Sequence, residues 1–212
     1  MVTVTGKVSE LGSATGSPSA PPSTDPILEI VVDILDTDGY EAVQLREVAR
    51  RAKVSLATIY KRYPTRDALI VTALEWWMEA NRYAGLPSLA DRLPGESIYA
   101  DLVHVLTTIF EPWERHPVML RSYFRARSGP GGQRLIQRGV DAVVPITRTI
   151  LASADPSFAD DLELILTGVA FGFLAQFAQG EIDVTEIVPG IERTVFWLTR
   201  GYESLPVEGP SS

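Results

Sequence analysis

The chain contains no cysteine, which excludes disulfides, thiolate metal centres and a cysteine nucleophile. Its two histidines, His104 and His116, are too few for most imidazole-based metal sites. Neither a metal nor any other cofactor is therefore expected. The N terminus lacks the basic-then-apolar pattern of a secretory signal. The longest nearly apolar run, Leu164 to Ala178, falls short of the roughly 20 residues that cross a bilayer. These absences predict a cytoplasmic protein without membrane contact. Convincing strands are also missing, since no segment alternates apolar and polar residues, and an all-α fold follows.

What remains is a chain of 212 residues, long enough for one to two domains at about 100–200 residues each. Its formal charge is −8, unevenly placed. From Gln44 to Arg66 there are seven cations (Arg46, Arg50, Arg51, Lys53, Lys61, Arg62, Arg66) and one acid, Glu47, so this stretch carries +6 and the rest −14. Such a patch on an acidic body suits a polyanion partner, and charge alone suits a solvated helical face equally well. Residues 1–23 include "GSATGSPSAPPS", whose small, polar, proline-rich composition predicts a flexible tail. A flexible C-terminus is expected over 205–212.

Between the tails the apolar spacing is helical. Ile27, Ile30, Val31, Ile34 and Leu35 share one face of a helix over about 26–38, stopped by Gly39. Leu45, Val48, Ala49 and Ala52 repeat that spacing, and a second short helix follows after only three residues. Pro64 ends it, and Thr65 is placed to cap a longer helix running to about Tyr83. Further helices are expected over about 96–115, 117–128, 131–153, 157–180 and 183–203, giving about nine in all. Pro145 and Pro189 fall inside two of them and predict kinks or breaks.

The segment "KVSLATIYKRY", Lys53 to Tyr63, is two-sided on a helical wheel. Leu56, Ile59 and Tyr63 fall together, with Tyr60 at their margin, while Ala57, Thr58, Lys61 and Arg62 occupy the other face. Small, hydroxyl and cationic side chains on one face suit close approach to a nucleic-acid groove. Helix, three-residue turn, helix is the helix-turn-helix arrangement, whose second helix enters the major groove. The longer string "GYEAVQLREVARRAKVSLATIYKRYPTRDALI", Gly39 to Ile70, with Ser55-Thr58-Tyr60 followed by Tyr63, Pro64-Thr65 and Arg66, resembles the DNA-binding domain of the TetR family of transcriptional regulators.

That resemblance implies an N-terminal three-helix DNA-binding domain over 24–72, with the helix-turn-helix at about 45–64, and a helical ligand-binding and dimerisation domain over 73–204. It implies DNA contacts from Arg46, Ser55, Ala57, Thr58, Tyr60, Lys61, Arg62 and Arg66, with Arg66 anchoring a phosphate. Tyr60 has a core-aromatic alternative, and Arg50 and Arg51 read better as solvated. The sequence departs from the family pattern at Lys53, where glycine is common, so that either Lys53 adopts positive φ or the turn is shaped differently. It departs also at Leu56, inward by periodicity although its family position often faces DNA, and in the few basic residues ahead of the first helix.

For the rest, the resemblance implies a small-molecule pocket whose occupancy shifts the connecting helix. Most large apolar side chains there are expected in the core. Trp113, Tyr123 and Phe124 are the first candidates for ligand contact, followed by Phe110, Trp77 and Phe171. Few charges interrupt these apolar stripes, which favours a small hydrophobic effector such as a lipid, sterol or acyl compound. "LELILTGVAFGFLAQFAQ" is apolar almost all round, with Gly168 and Gly172 as a small-residue strip. Together with "IERTVFWLTRGY" it resembles the family's dimerisation helices, which implies a homodimer interface including Gly168, Gly172, Phe173, Val195 and Leu198. The expected function is a homodimeric repressor that binds double-stranded DNA at an inverted-repeat operator and is released by its effector.

Two alternatives stand beside it. One is a regulator without ligand control. The other is a helical-bundle enzyme using Glu111, Glu114, Asp160 or Asp161 with His104 or His116, against which no Glu-x-x-His pair is present.

Overall fold

The computed structural model describes residues 25–95 and 97–204. The expected tails at 1–23 and 205–212 lie outside them. Every regular element among the described residues is helical, and none of these helices is long and apolar enough to cross a membrane.

Helix α1, Pro26–Thr37, begins where the Asp25 carboxylate accepts a hydrogen bond from Ile27 N at 3.0 Å, with Pro26 preset for the first turn. Gly39, at φ 85°, closes it by donating its N–H to Ile34 O. A 3₁₀ turn at Tyr40–Ala42 leads into α2, Leu45–Ala52, and α3, Leu56–Arg62. Lys53 between them sits at φ 54°, the left-handed conformation, which decides between the two alternatives at that position. α3 ends at Tyr63, and the Thr65 hydroxyl accepts from Ala68 N to open α4, Arg66–Met78.

The long connecting helix is not regular to Tyr83 as expected. Its last five residues, Glu79–Tyr83, form a π turn. A regular α-helix would bring Asn81, four residues after Trp77, to the inner face. The π turn instead leaves Asn81 exposed and carries both Arg82 and Tyr83 inward.

Beyond it lie α5 (Leu86–Ala90), α6 (Ile98–Arg115), α7 (Pro117–Arg127), α8 (Gln133–Ile150), α9 (Pro156–Gln179) and α10 (Ile187–Glu203). Nine of the described helices match the expected number, and α5 is a further one of five residues. The segment expected as one helix from 183 begins instead with a 3₁₀ turn, Val184–Glu186, held by a capping box between Asp183 and Glu186. α8 runs through Pro145, and α6 runs through Pro112. Pro189 breaks nothing because it lies in the first turn of α10, where a backbone N–H has no helical acceptor to lose.

α1 packs on α4 and α7, while α10 packs on α6 and α9, so one core runs from the short N-terminal helices into the larger bundle. Ser122 on α7 donates to Leu35 O on α1, and His116 Nδ1 stands 2.7 Å from Asp36 Oδ2. Arg134 and Arg138 of α8 pair with Glu75 and Glu79, each at 2.5 Å, tying α8 to the end of the connecting helix.

Candidate functional site

α3 is held to the core by Ile59 and Tyr63, with half-buried Leu56 beside them, so Leu56 packs inward as its periodicity indicates. Ser55 caps α3: its Oγ accepts from Thr58 N at 3.0 Å and lies 2.9 Å from Thr58 Oγ1. Ala57, Thr58, Tyr60, Lys61 and Arg62 form its exposed face. Tyr60 is 52% exposed, which removes the core-aromatic alternative.

The seven cations of this stretch divide by what they already hold. Arg50 and Arg51 both bond Glu47, at 2.6 and 2.8 Å, and these two guanidinium groups push the Glu47 carboxyl down to about 2. Arg62 forms a two-pronged pair with Asp25, at 2.6 and 3.3 Å, and the Tyr63 hydroxyl donates to the same carboxylate at 2.7 Å. Burial, followed by that hydrogen bond, raises the Tyr63 phenol to about 12. Arg66 donates to Val43 O at 2.7 Å and to Tyr40 O, and lies over the Tyr40 ring. Its Nε and Nη2 thus brace the turn before α2, an engagement that the sequence reading did not foresee. Arg46, Lys53 and Lys61 remain, exposed and in no ion pair or side-chain hydrogen bond among the described residues. They are the cations of this surface with charge left to offer.

A cavity of about 300 Å³ lies within the larger bundle, walled mainly by apolar side chains of α6, α8 and α9. Phe110, Trp113, Tyr123 and Phe171 line it. Phe124 and Trp77 do not. Arg127 lies between the Phe124 and Phe171 rings, 4.9 and 4.4 Å from their centroids, and Trp77 stacks behind Trp113 at 4.8 Å. The contribution of α8, including Gly139, Val140 and Val143, escaped sequence reasoning, because small and branched residues on an amphipathic helix carry no mark separating wall from core. Arg82 was missed too, since only the π turn brings it and Tyr83 to the cavity together.

Large apolar side chains on α9 and α10 are exposed among the described residues. Leu164 on α9 is 73% exposed and Trp197 on α10 is 70% exposed, with Ile165 beside them. A Cβ placed at Gly168, Gly172 or Gly201 would meet nothing within 4 Å. Three other residues expected on a dimer interface pack within the chain to different degrees. Val195 is fully buried inside the chain, Leu198 is half-buried, and Phe173 packs its ring against Gly190 of α10. The resemblance names them for the interface but cannot separate contacts within a helix pair from contacts beyond it.

The residues of the enzyme alternative do not converge. Glu111 pairs with Arg115, His116 with Asp36, and no cluster of three His, Asp or Glu side chains suited to a metal occurs among the described residues.

Comparison with known proteins bears on both halves of the chain. Residues 27–73 match the model of bacterial regulatory proteins of the tetR family, and residues 95–198 match the model of the tetracyclin repressor-like C-terminal domain. The HTH-type transcriptional repressor KstR of Rhodococcus jostii is 31% identical over 100 residues, 47% of this chain and 45% of that protein. KstR of Mycobacterium tuberculosis is 29% identical over 102 residues, 47% of this chain and 44% of that protein. The chain thus aligns with about half the length of these curated relatives. Among solved structures, Thermus thermophilus FadR, a TetR-family repressor in complex with lauroyl-CoA, superposes with a TM-score of 0.61 at 19% identity, over 88% of this chain and 97% of that one. A TetR-like regulator from Rhodococcus sp. RHA1 gives 0.55 at 20% identity, over 85% and 95%. The basic helix pair, the all-helical body behind it and the two family models together place this chain in the TetR family of transcriptional regulators.

Proposed function

We propose that the chain is a DNA-binding transcriptional repressor, acting as a homodimer on an inverted-repeat operator and released by a small apolar effector. The observation that carries this reading is the α2–α3 surface, which concentrates exposed cations on a molecule that is otherwise strongly acidic. Because Arg62 and Arg66 are engaged within the fold, Arg46, Lys53 and Lys61 supply the groove and phosphate contacts, with Thr58 and Tyr60 as hydrogen-bond donors beside them. Arg46 is the base-reading candidate, since its planar fork can bond guanine O6 and N7 together.

The exposed apolar side chains of α9 and α10 support the dimer. Leu164, Ile165 and Trp197 around the open glycines offer a flat apolar surface of the kind monomers seldom leave in water. A twofold axis through it would set two copies of α3 in successive major grooves about 34–36 Å apart. The cavity supports the effector. It falls at the lower end of the usual range for ligand pockets, about 300–1,000 Å³. Trp113 in its wall stacks on Trp77 of the connecting helix, so a ligand that moved Trp113 would bear on the element carrying α3. An effector acts this way only through different affinities for the two arrangements of the helices. The lauroyl-CoA bound by the Thermus thermophilus fold neighbour accords with an apolar effector.

The direct test is selection of genomic DNA fragments by the purified protein. Enrichment of fragments sharing an inverted repeat is expected, and apolar compounds that raise the melting temperature should release them. Uniform recovery of all fragments would refute the reading.

A further inference from the structure

The cavity wall contains one group that an apolar effector alone does not explain. Arg82 is only 7% exposed, and no carboxylate lies within ion-pair distance of it among the described residues. An arginine cannot shed its charge in a protein, and a buried guanidinium without an anion carries a desolvation cost that its neighbours must offset. Here the offset is partial. Nε donates to Ile109 O at 2.8 Å and Nη1 donates to the Tyr83 hydroxyl at 3.0 Å. The faces of the fork are covered by aromatic rings, with Trp113 at 4.7 Å, Tyr83 at 5.1 Å and Phe110 at 5.8 Å from the guanidinium carbon. Nη2 has no hydrogen-bond partner among the described residues, nor is it one of the unpartnered nitrogens sealed within packed protein. Arg82 lines the cavity, so this unengaged edge is the part of the fork left for a bound group.

The indole Nε1–H of Trp113 also lacks an acceptor, but it is sealed within packed protein and leaves Arg82 as the donor with an accessible edge. Glu163 also lines the cavity, but from α9, where it is exposed and unpaired with Arg82. The remaining lining is largely aliphatic and aromatic.

We infer that the cavity takes an amphipathic anion, an apolar body bearing one carboxylate, with the carboxylate held by the open edge of Arg82 beside Tyr83. This rests on the reading of the cavity as an effector site and adds the polar half of the ligand to it. Charge-assisted bonding in a water-poor site makes the carboxylate, not the hydrocarbon, the discriminating group. The anchor stands on the π turn that ends the connecting helix, so headgroup binding acts on that helix directly.

The test is calorimetric titration of the full chain with octanoate, dodecanoate and adamantane-1-carboxylate, each against its own alcohol, together with the variants Arg82→Gln, Arg82→Lys and Val140→Trp. At least one acid is expected to bind at least tenfold tighter than its alcohol. Arg82→Gln should erase that preference while keeping alcohol affinity, Arg82→Lys should retain part of it, and Val140→Trp, filling the cavity, should weaken acid and alcohol alike. Equal binding of each acid and its alcohol overturns the carboxylate anchor and leaves the apolar effector site standing. Binding by none of the acids overturns the anchor as well, and binding by none of the six compounds counts against the effector site too. Acid affinity that survives Val140→Trp unchanged places the anion elsewhere and also overturns the inference. If Arg82→Gln fails to fold by circular dichroism, the acid-to-alcohol ratio of the unaltered protein and the response to Val140→Trp decide the matter.

Discussion

At the scale of single residues, what a side chain already holds decides what it can give to a partner. Lys61→Ala and Arg46→Ala are each expected to weaken operator binding several-fold and to lower the salt dependence by about one unit of slope where a phosphate contact is lost. Neither should move the melting temperature, because neither side chain has an ion-pair or hydrogen-bond partner among the described residues. Arg62→Ala should instead lower the melting temperature along with any effect on DNA, since it strips Asp25 of a two-pronged contact at the start of α1. Fluorescence anisotropy across a salt series, paired with thermal melts, separates these outcomes. Sequence reasoning could name all of these cations but not their engagements, which join residues more than twenty positions apart: Arg62 with Asp25, and Arg66 with Tyr40 and Val43. Tyr63 adds a dependence on pH. Its folded-state value of about 12 lies above the ordinary 10, so its contribution is complete below about pH 10 and is lost as pH rises through 12. Tyr63→Phe should cost about 1 kcal/mol at neutral pH and flatten the loss of stability between pH 10 and 12 in denaturant titrations.

At the scale of elements, turns and helix contacts carry the consequences. Lys53 holds a left-handed conformation that costs a non-glycine residue roughly 1 kcal/mol. Lys53→Gly should therefore raise stability by up to about 1 kcal/mol while reducing DNA affinity through loss of an unpaired cation, a pair of opposite changes that melting and binding curves would record together. On α10, a Cβ at Gly190 would overlap the Phe173 ring of α9. Gly190→Ala should destabilise the protein by about 1–3 kcal/mol, measured by urea unfolding. The helices themselves were legible because amphipathic spacing and caps such as Ser55 and Thr65 are local signals. The π turn at Glu79–Tyr83 was not, since the residues that form it also suit a regular helix and its contacts with α6 and α8 are long-range. With it went Arg82, the most informative polar group in the cavity.

At the scale of the whole molecule, cations gathered on α2 and α3 of an otherwise acidic chain suit DNA contact at that surface, and a twofold dimer would present it twice. The double variant Leu164→Arg with Trp197→Arg should yield a monomer of unchanged helix content in analytical ultracentrifugation, because both side chains are exposed and neither supports the core. Its operator affinity should fall by orders of magnitude as the paired contacts are lost. The most direct test of the central claim is a hydroxyl-radical footprint of the dimer on a selected genomic fragment. Two protected half-sites in inverted orientation, about one helical turn apart and weakened together by Lys61→Ala, are predicted. A single protected site without symmetry, or protection unaffected by Lys61→Ala and Arg46→Ala combined, would contradict it.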